Sequence, residues 1–221
     1  MKTLLEEVKG FDPYNEQEEA DKELLMTYLT MFDDIFYREN LMAHMTSSPW
    51  IVNQDMSKVL MIYHNIYDSW GWCGGHCDGD EDTLHVALKE GMEETGLTKL
   101  TPLSEHIMAI DILPVPPHKK RGKFVSSHVH LNVTYACVAD ETENLHIKAD
   151  ENSGVRWIPV EEIDTWVREE DMKPVYHKLV EKTSFDNRTD GTNSLICLEF
   201  LDFSHKKDRF QEFIDILVEL S

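Results

Sequence analysis

The chain has 221 residues, 42 acidic against 21 basic, and a formal net charge of −21 at pH 7. That length suffices for one domain with additions and a core of ordinary size. So strong a negative charge argues against a general nucleic-acid or anionic-membrane surface, and no apolar run reaches the roughly 18 residues of a membrane span.

Taken from the N-terminus, Met1-Lys2-Thr3-Leu4-Leu5-Glu6-Glu7 turns acidic too soon for a secretory signal, so a cytoplasmic location is expected. Lys22–Tyr37 has helical periodicity that turns Leu24, Leu25, Tyr28, Leu29, Phe32 and Ile35 inward. Residues 1–44 are therefore expected to form an N-terminal helical extension. Trp50–Gln54 and Lys58–His64 read as a hairpin around Asp55-Met56-Ser57. Glu105–Leu113 and Ser127–Asp140 read as strands joined through Pro114–Lys123, and Val155–Pro159 as a short strand. Val160–Val167 and Lys173–Lys182 read as helical, Ser184–Asn193 as turn-rich, Ser194–Phe203 as strand or helix, and Arg209–Leu220 as a closing helix. Strands interleaved with helices make this an α/β (α+β) chain.

The segment between Gly75 and Leu97 carries the chemistry. Asp80, Glu81, Asp82 and Thr83 place short polar and acidic residues where a helix should start. From there Leu84, Ala87, Leu88, Gly91 and Thr95 form an inward stripe, while Val86, Glu90, Glu93, Glu94 and Leu97 fall on another side. The three glutamates stand at i, i+3 and i+4, where like charges repel by roughly 0.2–0.5 kcal/mol per pair. A divalent cation removes that penalty, and carboxylate oxygens suit Mg2+, with Mn2+ as a close substitute. Gly96 then ends the helix where a left-handed residue is often required.

Written out, the fixed residues are Gly75, Glu81, Lys89, Glu90, Glu93, Glu94, Gly96 and Leu97. The pattern resembles the signature of the Nudix hydrolases, G-x5-E-x7-R-E-U-x-E-E-x-G-U with U aliphatic. Similarity continues through Trp70-Gly71-Trp72-Cys73-Gly74-Gly75-His76 and through Asp150-Glu151-Asn152 with Val155–Pro159. The resemblance implies a Nudix fold, an α/β/α sandwich around a mixed sheet, over residues 45–167. A mostly helical extension over 168–221 would pack on the same domain. It also implies hydrolysis of a pyrophosphate bond in a nucleoside diphosphate derivative, ADP-ribose-like, or in a nucleoside triphosphate. In that picture Glu90, Glu93 and Glu94 hold Mg2+, the Gly75 carbonyl is a further ligand, and Lys89 holds a carboxylate in position. Gly74 and Glu81 serve the turn, and Glu93 and Glu151 are rivals for the general base. The expected partner is a small nucleotide or nucleoside diphosphate, with no nucleic acid and no membrane; a homodimer is left open.

Two positions depart from the pattern. Lys89 replaces Arg, losing the planar fork that holds two carboxylate oxygens. Gly91 replaces an aliphatic residue, removing core packing and costing about 1 kcal/mol of helix propensity relative to Ala. These departures favour an alternative, a Nudix-fold ligand sensor or interaction module with weak or no catalysis; the intact glutamates oppose it.

Outside the box, His76 follows the double glycine and should lie near bound phosphates. His128 and His130 alternate on one strand with Asn132 and share a face. His44-Met45-Thr46-Ser47-Ser48, Gly74-Gly75-His76 and His128-Val129-His130 are similar to the H-x-T-x-S, G-G-H and H-x-H patterns of a Nudix subgroup. Candidate substrate contacts are His76, His130, Trp70 or Trp72 as a base-stacking ring, and Lys120 and Arg121 of the basic run His118–Lys123. Cys73, His76 and Cys77 lie close in sequence, but a structural zinc site needs four ligands and Cys137 and Cys197 are single and distant. Ordinary reduced thiols are the expectation.

Overall fold

The computed structural model describes residues 3–120 and 122–185. Arg121, Cys197 and the elements expected over Ser194–Phe203 and Arg209–Leu220 lie outside the described residues, as does most of the turn-rich stretch from Ser184.

Thr3 and Glu6 form a capping box that opens α1 (Leu4–Gly10), and the Asn15 side chain accepts the Glu18 N–H to open α2 (Glu16–Met31). α2 starts well before Lys22 and stops short of Phe32, its C-cap. Of the residues expected inward, Leu25 and Ile35 are buried, but Leu24 and Phe32 are exposed. The inner face of α2 carries Glu18 and Asp21 beside Leu25, because it meets a strand edge whose backbone N–H groups need acceptors.

That edge belongs to β6 (Ala109–Val115), which pairs with β9 (His128–Val138). Backbone N–H groups there and just before it donate to acids of the two N-terminal helices: Ile107 to Glu7 at 2.8 Å, Ile110 to Glu18 at 3.2 Å and Ile112 to Asp21 at 2.9 Å. Glu18 is fully buried and also meets Lys182 at 2.8 Å and Lys178 at 3.3 Å, and Lys178 reaches buried Asp111 at 2.6 Å. Each buried charge thus has an opposite partner, as burial requires.

The mixed sheet also contains β1 (Ala43–Val52), β2 (Lys58–His64), β3 (Ser69–Gly71), β4 (Gly75–His76), β5 (Thr101–Pro102) and β10 (Asn152–Pro159). Its main path runs β10-β2-β1-β9-β5, with β3 on β2, β4 on β1 and β6 on β9. The central β1–β9 pair is parallel, in register from Ala43↔Val129 to Val52↔Val138, and the remaining pairs are antiparallel. β1 begins several residues before the expected Trp50. It is buried along its whole length, so it lacks the alternation that marks a half-exposed strand.

Alternate residues of β1 and β2 supply two cores. Met45, Ile51, Leu60 and Ile62 face one, with Val86 and Ala87 of α3 (Thr83–Thr95). Trp50, Val52, Val59 and Met61 face the other, with Ile163 of α4 (Ile163–Trp166) and Tyr176 and Leu179 of α5 (Lys173–Phe185). α4 follows a 3-10 turn at Val160–Glu162. Helices on both faces give the expected sandwich. Gly91 does not leave a gap. A Cβ there would lie 2.8 Å from Leu100 Cδ2 and 2.9 Å from Pro49 Cγ, so α3 sits tight on β1 and its neighbours fill the volume an aliphatic side chain would need. A short hairpin of β7 (His118–Lys120) and β8 (Lys123–Val125) replaces the plain loop expected over Pro114–Lys123.

Candidate active site

Asp82 caps α3 by accepting the His85 N–H at 2.9 Å, and Gly96 closes it in the left-handed region at φ 77°. Between these ends the buried residues are Thr83, Val86, Ala87, Gly91, Glu94 and Thr95. Val86 is therefore an inward residue, and Leu84 and Leu88 are only half-buried. Glu94 lies on the buried side, Glu90 is nearly covered, and Glu93 is about half exposed.

The glycine turn accounts for where two of these acids go. Gly74 N–H donates to Glu94 Oε2 at 3.1 Å. At Gly75 a Cβ would lie 2.5 Å from Glu90 Cδ, so only glycine lets the Glu90 carboxylate lie against the β4 backbone. The other side of the site comes from far along the chain. Asn152 Nδ2 donates to the Glu94 carbonyl at 2.9 Å and His146 N–H to the Thr95 carbonyl at 2.8 Å. These bonds satisfy open carbonyls at the end of α3 and dock the loop before β10 against it.

That docking brings Glu151 to the helix. Carboxylate oxygens of Glu90, Glu94 and Glu151 all lie within 4.8 Å of one another. Burial, and then the neighbouring Glu151 and Glu90 charges, push the Glu94 carboxyl up to about 8 against the pull of the Gly74 N–H. Three carboxylates this close, one raised by burial, form a donor set suited to a hard divalent cation. The set differs from the Glu90, Glu93, Glu94 trio expected from spacing: Glu93 points toward Lys89 at 4.0 Å and Lys148 at 3.3 Å. Lys89 also meets Glu90 at 3.3 Å. Glu81 is exposed on the turn before α3.

Lys148 completes the cluster without any motif to mark it. It lies 2.9 Å from Glu151, 3.3 Å from Glu93 and 3.9 Å from Glu90. Burial opposes its charge, but the hydrogen bond and charge of Glu151, with Glu90 and Glu93, outweigh that and hold its pKa above the ordinary lysine range. The one local signal is its i, i+3 spacing to Glu151 in a loop otherwise short of cations.

These groups open on a cavity of about 820 Å³ whose lining includes Glu90, Glu94, Glu151, Lys148, His76 and Trp72. His130 and Lys119 also line it. Lys119 brings the basic run to the cavity; the Lys120 side chain and Arg121 are outside the described residues. Trp70 takes no part in the lining. It packs edge-on to Tyr63 and Trp166 and against Gly154, which leaves Trp72 as the indole at the site. Cys73, Cys77 and Cys137 are free and buried, and burial pushes the Cys77 and Cys137 thiols up to about 12. They act as apolar core, as expected of reduced thiols.

The floor of the cavity explains the H-x-T-x-S pattern. Parallel pairing sets His44 opposite His130, Thr46 opposite Asn132 and Ser48 opposite Thr134. Thr46 and Ser48 hydroxyls both donate to Asn132 Oδ1 at 3.0 Å, and Asn132 Nδ2 donates to Thr134 Oγ1 at 3.1 Å. The alternating polar residues thus satisfy one another between two buried strands.

No helix among the described residues is long and apolar enough to cross a membrane. No curated protein matches the chain. Similar solved structures include a C. elegans Ap4A hydrolase binary complex (16% identity, 64% of this chain and 98% of that one, TM-score 0.46). Another is the NUDIX domain of Shewanella oneidensis NrtR complexed with ADP ribose (17%, 73% and 97%, 0.46). A third is the E. coli dihydroneopterin triphosphate pyrophosphohydrolase (15%, 62% and 94%, 0.46). The family model described as NUDIX domain matches residues 44–181. That match spans more than half of the sequence and includes α3, the glycine turn and the Glu151 loop, and by it the chain belongs to the NUDIX family.

Proposed function

We propose that the protein hydrolyses the pyrophosphate linkage of a nucleoside diphosphate derivative or a nucleoside triphosphate. The observation that carries this reading is the Glu90, Glu94 and Glu151 cluster in the lining of a cavity that also presents cations and an indole. Glu90 and Glu94 would hold a divalent cation, Mg2+ or Mn2+, with the Gly75 carbonyl beside them. When bound, such an ion supplies Lewis-acid polarisation of the phosphoryl oxygens and neutralises charge on the leaving phosphate.

The remaining work falls to the protein. Glu151 lines the cavity and Glu93 does not, so Glu151 is the better placed of the two rivals to accept a proton from the attacking water. Water adds its oxygen to one phosphorus, the bridging P–O bond breaks, and two phosphate products leave. Lys119 places positive charge on the cavity wall for the substrate phosphates, and Trp72 offers a ring face to a base. Lys89 holds the Glu90 carboxylate in place at 3.3 Å.

A second reading, a ligand sensor with weak catalysis, draws support from Lys148, which already neutralises part of the carboxylate cluster. Hydrolysis of a panel of nucleoside diphosphate derivatives and triphosphates, with Mg2+ or Mn2+, separates the two. The hydrolase reading expects turnover of at least one compound that Glu94→Gln abolishes. Tight binding of one compound with no turnover anywhere in the panel would overturn it.

A further inference from the structure

A second cluster of ligand atoms lies beside the carboxylates and is made of nitrogen. Ring nitrogens of His44, His76 and His130 all fall within 4.8 Å of one another. They come from three strands: β1 and β9 pair in parallel with His44 opposite His130, and β4 pairs with β1 so that His76 stands opposite Thr46. All three histidines line the cavity.

His44 shows that this is more than crowding. Its side chain is buried, with 5% exposure. Nδ1 lies 2.9 Å from the Asn40 carbonyl. A carbonyl can only accept, so Nδ1 carries the proton and Nε2 of the neutral ring keeps its lone pair. Nε2 is buried and has no hydrogen-bond partner among the described residues. Leaving a buried acceptor unsatisfied is costly, and an imidazolium there would instead bury an unpaired N–H. Burial lowers the His44 pKa and so opposes that second form. The rings around His44 are His76 and His128 with centroids at 4.9 Å and His130 at 5.2 Å. A backbone carbonyl on Nδ1 and a bare Nε2 facing other imidazoles is the arrangement that fixes the tautomer of a metal-ligating histidine.

We propose that His44, His76 and His130 form a second metal site, for a borderline transition-metal ion of the Zn2+ class, with a coordination position open to the cavity. The donor type separates it from the carboxylate cluster, because imidazole suits Zn2+ and its neighbours whereas oxygen donors suit Mg2+ and Mn2+. Tetrahedral bonds of about 2.0–2.1 Å would set the ligand nitrogens roughly 3.4 Å apart, a contraction that small ring rotations supply. Three neutral ligands leave the ion its full charge, so the open position would attract a phosphate or other anionic part of a substrate. His128 adjoins both His44 and His130, with centroids at 4.9 and 5.1 Å.

The test uses the full chain, freed of metal with a chelator and titrated with Co2+ as a spectroscopic stand-in for Zn2+. The site predicts a single equivalent with an intense tetrahedral visible band that excess Mg2+ does not remove. The band should be lost in His44→Asn and His130→Asn and kept in the Glu90→Gln/Glu94→Gln double variant. Its survival in both histidine variants, its loss in the glutamate variant, or no Co2+ binding at all overturns the proposal. Should a histidine variant fail to fold, X-ray absorption at the zinc edge of the Zn2+-loaded wild type decides: imidazole scattering is expected, and a shell of oxygen alone refutes the site. Neither readout depends on hydrolysis, so a catalytically silent protein leaves the proposal fully testable.

Discussion

Gly91 offers a direct measure of how tightly the box helix is seated. Replacing it by alanine should add about 1 kcal/mol of helix propensity, and on an exposed helix that would stabilise the protein. Here the new Cβ would meet Leu100 Cδ2 at 2.8 Å, Pro49 Cγ at 2.9 Å and Ile51 Cδ1 at 3.4 Å. Carbon pairs prefer about 3.5–4.0 Å, so the first two neighbours must retreat by more than half an ångström. Leu100 can turn a terminal methyl aside. The Pro49 ring cannot, because it is fixed in the middle of β1. Overpacking a filled core costs about 1–3 kcal/mol, which exceeds the propensity gain and leaves Gly91→Ala less stable by about 1 kcal/mol. With a urea m-value of about 2 kcal/mol/M, the midpoint should fall by about 0.5 M at unchanged m. Leu100→Ala should shrink the effect when the two are combined, since residues in contact couple. Gly91 also sits between Glu90 and Glu94, so any retreat of α3 moves both carboxylates and should lower activity at temperatures where the variant is still folded. A midpoint that rises in Gly91→Ala would show instead that α3 has room against β1.

Other substitutions address the acids. Gly75→Ala drives a Cβ into Glu90 and should weaken Mn2+ binding on the order of 10–100-fold, as other losses of ligand support do, with calorimetry as the readout; unchanged affinity would mean Glu90 is not a ligand. Lys148→Met removes a cation that competes for the same carboxylates, and should tighten Mn2+ binding by up to about tenfold given the modest strength of partly exposed pairs; weaker binding would instead make Lys148 an organiser of the cluster. Glu94 gives a pH test. Its carboxyl is raised in the folded state, so its contribution is present below the unfolded value of 4.5 and lost as pH rises through about 8. In chelator-treated protein, the wild-type Tm should fall relative to that of Glu94→Gln across this window, and parallel curves would show Glu94 ionised throughout.

Local chemistry made the box helix legible. The Asp82 cap, the left-handed Gly96 and the spacing of the glutamates are all set within one stretch of chain. What spacing along a helix could not decide was which acids converge. Glu93 and Glu94 are adjacent in sequence, yet only Glu94 turns inward, and the third carboxylate arrives on a loop anchored by Asn152 on the end of α3. Lys148 comes with that same loop. The histidine cluster likewise depends on the parallel register of β1 and β9, a long-range pairing that alternation within either strand does not reveal. The β7–β8 hairpin leaves little trace in the sequence because its strands are three residues each and rich in lysine. The start of α2 is hidden for a different reason: its first turns bury Glu18, an acid that apolar periodicity does not mark, while Leu25 follows only later.

Those acids have a practical consequence for anyone shortening the chain. The NUDIX match starts at residue 44, and a fragment cut there would look complete by family criteria. It would lack Glu7, Glu18 and Asp21, leaving the amides of Ile107, Ile110 and Ile112 without acceptors and Lys182 without its carboxylate partner. A bare strand edge is a template for pairing with other chains, so such a fragment should self-associate even with every box residue intact.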